Sequence, residues 1–192
     1  MTKTIAIAYH SGYGHTEQVA KAVAEGVNKE SGAKAVLLKV EGISEEGWNQ
    51  LDAADAIVFG TPTYMGGPSA QFKTFADASS KKWASQKWKN KIAAGFTNSG
   101  SYSGDKLATL QQLNILAMQQ GMIWASLGLL PPQFGKDELP EVDKINRMGS
   151  FIGLMTQSNH ASGPDVAPGK GDLETARIFG KRIAEITKRF SN

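Results

Sequence analysis

The residues best suited to chemistry sit in the stretch YHSGYGHTEQVA, residues 9–20. An apolar run stops there, and Ser11, Gly12, Tyr13, Gly14, His15 and Thr16 precede a helical pattern. A helix N-terminus presents unpaired backbone N–H groups and a partial positive charge. Hydroxyls from Ser11 and Thr16, with glycines that let the backbone close in, complete a cradle for an anion. The loop has no lysine and so lacks the Gly-Lys-Ser/Thr ending of a P-loop. Residues 12–17, G-Y-G-H-T-E, also lack the third glycine of a dinucleotide fingerprint. A neutral cradle of this kind suits a terminal monophosphate with no metal. The same residues also read as an ordinary strand–helix turn with Ser11 or Thr16 as its cap.

Two further loops share this character. In GTPTYMGGPSAQ (60–71), Pro62 fixes the backbone, Thr63, Tyr64 and Met65 project beyond a strand end, and Gly66–Gly67 allow close approach before Pro68 starts a helix. Such a wall suits a planar, mostly apolar ligand with a few hydrogen-bonding edges. TNSGSYSGDK (97–106) is dense in hydroxyls and glycines, and Asp105 is placed to cap the next helix. Each loop alone is equally readable as a turn. Together they imply a ligand with a monophosphate at one end and a flat ring system at the other, for which FMN is the natural candidate.

The elements must bring these loops together. Apolar runs at 3–9, 33–40, 55–62, 91–100 and 122–128 read as strands, and helical periodicity covers 15–27, 69–79, 105–121 and 172–190. The stretch 40–55 reads as a short connection. The alternation implies a three-layer α/β fold, a five-stranded parallel sheet in the order 2-1-3-4-5 with helices on both faces. This flavodoxin-like arrangement binds ligands beyond the carboxyl ends of the strands, where the winding reverses. The loops after the first, third and fourth strands meet there. The chain of 192 residues is expected to form one domain, 1–192, with an irregular excursion at about 129–171, rich in proline and glycine.

Composition narrows the function. There is no cysteine, which excludes disulfides and thiolate chemistry and fits a reducing cytoplasm. The first residues carry no signal-peptide order, and MIWASLGLLPP is too short to span a bilayer, so membrane insertion is not expected. A net charge of +3 comes from scattered lysines and arginines rather than a basic stripe, so nucleic acid is not an expected partner. His10, His15 and His160 are too scattered to suggest a metal site. Lys106 reads either as a contact for a nicotinamide cofactor's phosphate or as a solvated helix lysine. Trp48, Trp88 and Trp124 read as packing residues.

YHSGYGHTEQVAKAVAEG, AIVFGTPTYMGG, WASQKWKNKIAAGFTNSGS and GDLETARIFGKRIAEI together resemble the WrbA-type NAD(P)H:quinone oxidoreductases, a branch of the flavodoxin-like superfamily. The resemblance covers nearly the whole chain. It implies non-covalent FMN, reduction by NADH or NADPH, and two-electron transfer to quinones or similar acceptors. By the same resemblance Ser11, Gly12, Tyr13, Gly14, His15 and Thr16 surround the phosphate. Pro62, Thr63, Tyr64 and Met65 border the ring system on one side, and Thr97, Asn98, Ser99, Gly100 and Gly104 on the other. Gln120 stands where relatives often carry a histidine near the quinone. Trp83 matches a tryptophan that relatives contribute from a neighbouring subunit. Gln120, Tyr64 and Trp83 are therefore the candidate acceptor-site residues, and a homodimer or homotetramer is expected. The connection 40–55 is shorter, and the tail 146–172 longer, than is usual in the family. The alternative is an electron-carrier flavodoxin; those are usually strongly acidic, which a net +3 does not match.

Overall fold

The computed structural model describes residues 1–132 and 141–190. β1 (Lys3–Tyr9) lies between β2 (Ala33–Lys39) and β3 (Ala56–Tyr64), parallel to both. β3 turns back through the two-residue strand β4 (Gly67–Pro68), and β5 (Ile92–Ser99) pairs parallel with β3 on its other side. Beyond β5 lies β6 (Ile123–Trp124), giving the order β2-β1-β3-β5-β6. Leaving out the small β4 hairpin, this is the expected 2-1-3-4-5 order.

The fifth position differs from the sequence expectation in a way that matters for function. The ladder expected over 122–128 forms only at Ile123–Trp124, opposite Ile92 and Ala93. The rest of that edge is supplied by β7 (Leu154–Gln157), parallel to Phe96–Ser99. Local packing explains the splice. The Trp124 ring lies where Gly95 leaves room, and its Nε1 donates to the Ile152 carbonyl at 2.7 Å. Gly153 comes so close to the Gly95 carbonyl that a Cβ would sit 2.5 Å from it. The stretch 129–171 therefore carries a strand of the sheet; residues 133–140 of it lie outside the described residues.

Strand side chains alternate between the two faces, and each face has its own core. Ile5, Ile7, Val58, Ala94 and Phe96 pack against α1 (His15–Asn28) and α6 (Lys170–Phe190). Ala6, Ala8, Ile57, Phe59 and Ala93 pack against α2 (Glu45–Ala53), α3 (Ala70–Ala78) and α5 (Lys106–Gln119). α4 (Ser80–Ala84) is a short continuation after α3. α2 occupies the connection that the periodicity left bare. Ser44 caps it by accepting from the Gly47 amide at 3.2 Å, with Glu45 and Glu46 in its first turn. Trp88 is fully buried, stacks with Trp48 and Phe75, and donates from Nε1 to Asp52 at 2.8 Å.

α1 and α6 cross at two glycines. A Cβ on Gly26 would lie 1.9 Å from the Arg177 carbonyl oxygen, and one on Gly180 would lie 2.0 Å from that of Val23. Backbone packed on backbone fixes the height and tilt of α1, and so the position of its N-terminus over the sheet edge.

Candidate functional site

The carboxyl ends of β1, β3, β5 and β7 surround a cleft of about 560 Å3. Tyr13, His15 and Thr16 line it from the first loop, Pro62, Thr63 and Tyr64 from the second, and Asn98, Ser99 and Gly100 from the third. The three loops converge as expected. A fourth wall was not legible in the sequence: Ser158, Asn159, His160, Ser162, Gly163 and Pro164, delivered by β7. Their signal was the four-residue strand LMTQ, too short to stand out within an irregular stretch.

The first loop is shaped for an anion. Gly14 has φ 87°, a conformation that favours glycine, and Pro164 packs against it. The first amides of a helix have no intrahelical acceptor; Ser11 Oγ takes that of Glu17 at 3.1 Å, leaving the hydroxyl proton free to donate. Thr16 is buried. His15 Nδ1 is buried without a partner. Burial, and then the neighbouring His160, hold the His15 ring below the usual imidazole pKa, so it is neutral near pH 7. A neutral imidazole at the start of α1 can donate one N–H to a phosphate, and the group would satisfy the orphaned nitrogen. Ser11, Gly12 and Gly14 do not themselves line the cleft; they shape and cap the turn that does.

The second loop is a tight hairpin. Met65 and Gly66 both have positive φ (48° and 84°), the two-residue turn that joins β3 to β4. Pro68 therefore belongs to β4 rather than to the following helix, which Ser69 caps by accepting from the Phe72 amide at 3.3 Å. The hairpin lifts Tyr64 to the cleft mouth. Its hydroxyl packs on Gly12, where a Cβ would sit 2.5 Å away, and its ring meets Tyr13 edge-on at 6.2 Å. Burial raises the Tyr64 phenol pKa, so it stays protonated. Tyr13 and Met65 are fully open to solvent beside it, giving the mouth an apolar rim.

The wall behind is hydrogen-bonded from within. Thr63 Oγ1 meets Thr97 Oγ1 at 2.8 Å and Thr109 Oγ1 at 2.7 Å. Thr97 is fully buried, so it braces Thr63 rather than lining the cleft. Asn98 Oδ1 accepts from Thr156 at 2.8 Å and Ser158 at 3.0 Å, which leaves its NH2 end for the cleft. Gly100 accommodates the His160 ring, and Gly104 (φ 53°) lies against Ser99. Asp105 does not cap α5: its φ is 52° and its side chain makes no capping bond. His10, left unassigned by the sequence, is buried at the root of the first loop and bonds Ser69 through Nδ1 at 2.8 Å. That contact ties the first loop to the second.

Of the three acceptor-site candidates, only Tyr64 reaches the cleft within one chain. Trp83 and Gln120 line a second hollow of about 360 Å3 between α3–α4 and α5, with Phe72, Ile115 and Leu116. Gln120 donates to Ser79, both to its carbonyl at 3.2 Å and to its Oγ at 2.9 Å. It sits beside Gly121, whose carbonyl accepts from Asn90 before β5 begins, whereas the cleft lies past the far end of β5. The length of β5 separates them, roughly 25–30 Å.

The model for NADPH-dependent FMN reductase matches residues 44–129. Flavodoxin FldP of Pseudomonas aeruginosa is 43% identical over 97% of both chains. An NAD(P)H dehydrogenase (quinone) of Paracoccus denitrificans is 32% identical over 95% of this chain and 92% of its own length. A crystal structure of a WrbA-like flavodoxin from Agrobacterium tumefaciens superposes with TM-score 0.77 at 47% identity, covering 99% of this chain and all of that one. The chain belongs to the WrbA-type family. Within that family's flavodoxin-like fold, the cleft occupies the switch point of the winding, between β1 and β3, where ligands bind. No helix among the described residues is long and apolar enough to cross a membrane.

Proposed function

We propose that this WrbA-type protein is an FMN-dependent oxidoreductase that passes two electrons from NADH or NADPH to a quinone or similar small acceptor. Family membership supplies the FMN cofactor, the nicotinamide donor and the enzyme class. The observation that carries the reading for this chain is the cleft itself, with an anion cradle at one end and an apolar, tyrosine-rimmed mouth at the other.

FMN, when bound, supplies the hydride-accepting ring. Thr16, His15 and the first amides of α1 would hold its phosphate, with Ser11 capping the turn behind them and Gly12–Gly14 shaping that grip. Pro62, Thr63 and Tyr64 form one wall of the ring's slot, with Met65 at its edge. Asn98, Ser99 and Gly100 form the other, supported from behind by Thr97 and Gly104. Tyr64, protonated at neutral pH, offers a hydroxyl to an acceptor oxygen at the mouth. The rim of Tyr13, Tyr64 and Met65 gives flat donors and acceptors an apolar platform.

The carrier reading is supported by the 43% and 47% identities to proteins named as flavodoxins. Anaerobic mixing of FMN-loaded protein with NADH and NADPH in turn separates the two. Rapid bleaching of the flavin by either donor supports the enzyme, and the faster donor is the preferred one. Bound FMN that neither donor reduces supports the carrier.

We read the hollow between α3–α4 and α5 as a contact between copies, in a homodimer or homotetramer. Trp83 and Ile115 leave apolar surface exposed there. Association on this face would bring Trp83 toward another chain, whereas Gln120 stays buried and tied to Ser79.

A further inference from the structure

A buried charge cluster lies behind the wall that the loop after β5 gives to the cleft. Lys106 is fully buried, and its Nζ donates to Ser99 Oγ at 2.9 Å and to the Ser101 carbonyl at 2.6 Å. Asp172, 2% exposed, takes both arms of Arg147 at 2.8 Å and the Gln157 amide at 2.8 Å. Gln157 passes the connection on, donating from Nε2 to the Gly100 carbonyl at 2.9 Å. Arg147 also lies over the Tyr102 ring at 5.6 Å. The cluster joins β5, β7 and the start of α6, and it holds residues 99–101 from behind.

Two cations against one carboxylate leave a net charge of +1. Burying an excess charge is unfavourable, and a methionine would fill the space of Lys106 without that cost. Packing therefore does not explain the lysine. Its position does: the ammonium stands one hydrogen bond behind Ser99, a residue of the cleft wall. Through so little polarisable solvent its field reaches the cleft weakly screened. Hydride transfer from NAD(P)H adds two electrons and one proton to FMN, so the ring gains one negative charge. A fixed positive charge behind the wall favours that product over the oxidised ring.

We propose that the Lys106–Asp172–Arg147 cluster tunes the flavin, with Lys106 as a positioning and electrostatic residue that raises the reduction potential of bound FMN. The proposal rests on the reading of the cleft as the FMN site, and it makes the sign of the charge the controlling variable.

The test is the two-electron midpoint potential of FMN bound to the full-length protein, measured by dye-equilibrated spectroelectrochemistry at pH 7, beside the affinity for oxidised FMN. Lys106→Gln, which removes the charge and keeps a hydrogen-bond donor, is expected to weaken binding of reduced relative to oxidised FMN about tenfold, a negative shift of about 30 mV. Lys106→Arg is expected to retain the wild-type potential. Asp172→Asn, measured at pH 6 beside the wild type so that Lys106 keeps its proton without the carboxylate, makes the cluster more positive and is expected to shift the potential the other way. Lys106→Met gives a second charge-free variant should Lys106→Gln not fold. Opposite shifts for the lysine and aspartate variants support the proposal. Shifts of the same sign, or none, with FMN still bound overturn it and leave the cluster a structural brace. If the wild-type protein does not bind FMN, the reading of the cleft itself fails, and the proposal with it.

Discussion

The cleft at the carboxyl edge of the sheet and the hollow on the helical face are similar in scale and opposite in construction. The cleft is made where the chain leaves the strands. Its walls are hydroxyls, amides and glycines, held by turns with positive φ at Gly14, Met65, Gly66 and Gly104. The hollow is made by the sides of finished helices, chiefly Phe72, Trp83, Ile115 and Leu116. Directed N–H and O–H groups can select a charged, planar molecule. Largely apolar area on helix sides, edged by Lys73, Gln112 and Gln119, suits another protein surface. On the proposed reading, the contrast distinguishes a cofactor site from an association site on one small fold.

The sharpest way to break the contrast is to disturb the helix pair that carries the cleft's first loop. Gly180→Ala places a Cβ 2.0 Å from the Val23 carbonyl oxygen, and α1 cannot yield without shifting its N-terminus. A loss of about 3 kcal/mol or more is expected, read as a lower urea midpoint, with FMN binding impaired wherever the variant still folds.

A smaller effect should come from Lys106. Burial lowers its pKa from the ordinary lysine value of 10.5 to about 8, with Asp172 opposing the shift. Between those values the unfolded chain binds the extra proton and the folded chain does not, so stability rises with pH across that window. Below about pH 8 both states are protonated and the gain is absent. The full effect is roughly 3 kcal/mol. Denaturation of wild type and Lys106→Met from pH 7 to 10.5 should show the rise in the wild type and a flatter profile in the variant; parallel profiles would remove Lys106 as its source.

The hollow should respond independently. Ile115→Glu puts a carboxylate on an exposed apolar position of α5. Light scattering is expected to show a smaller assembly than the wild type, with FMN affinity per chain changed by less than about twofold. An unchanged assembly would place the contact between copies elsewhere.

The sequence disclosed the two regions unequally for a physical reason. Loops that bind ligands carry unusual residue types, so SGYGHT, TPTYMGG and TNSGS stood out and converge in space. The periodicities of β1, β3 and β5 placed those loops at one edge. What stayed hidden depends on pairing over distance. β7 is four residues long, and only its partnership with Phe96–Ser99 makes it a strand, so His160 and its neighbours had no visible anchor. α2 carries little hydrophobic periodicity, although Ser44 and the glutamates after it are a legible helix start. Lys106 fitted neither reading that its position on a helix suggested. It faces inward to Ser99 and the Ser101 carbonyl, in the field of Asp172 and Arg147 from distant parts of the chain. Thr97 has the right type for a cofactor contact but points to Thr63, a matter of strand phase that loop composition does not reveal.

The central claim is that the cleft grips a flavin by its phosphate at the start of α1. It is tested most directly by fluorescence titration with FMN and with riboflavin, which lacks the phosphate, on wild type and on Ser11→Ala/Thr16→Ala. The account expects wild type to prefer FMN strongly, and the double variant to lose about 10- to 100-fold in FMN affinity with little change for riboflavin. Equal affinity for the two ligands, or an unchanged preference in the double variant, would contradict it.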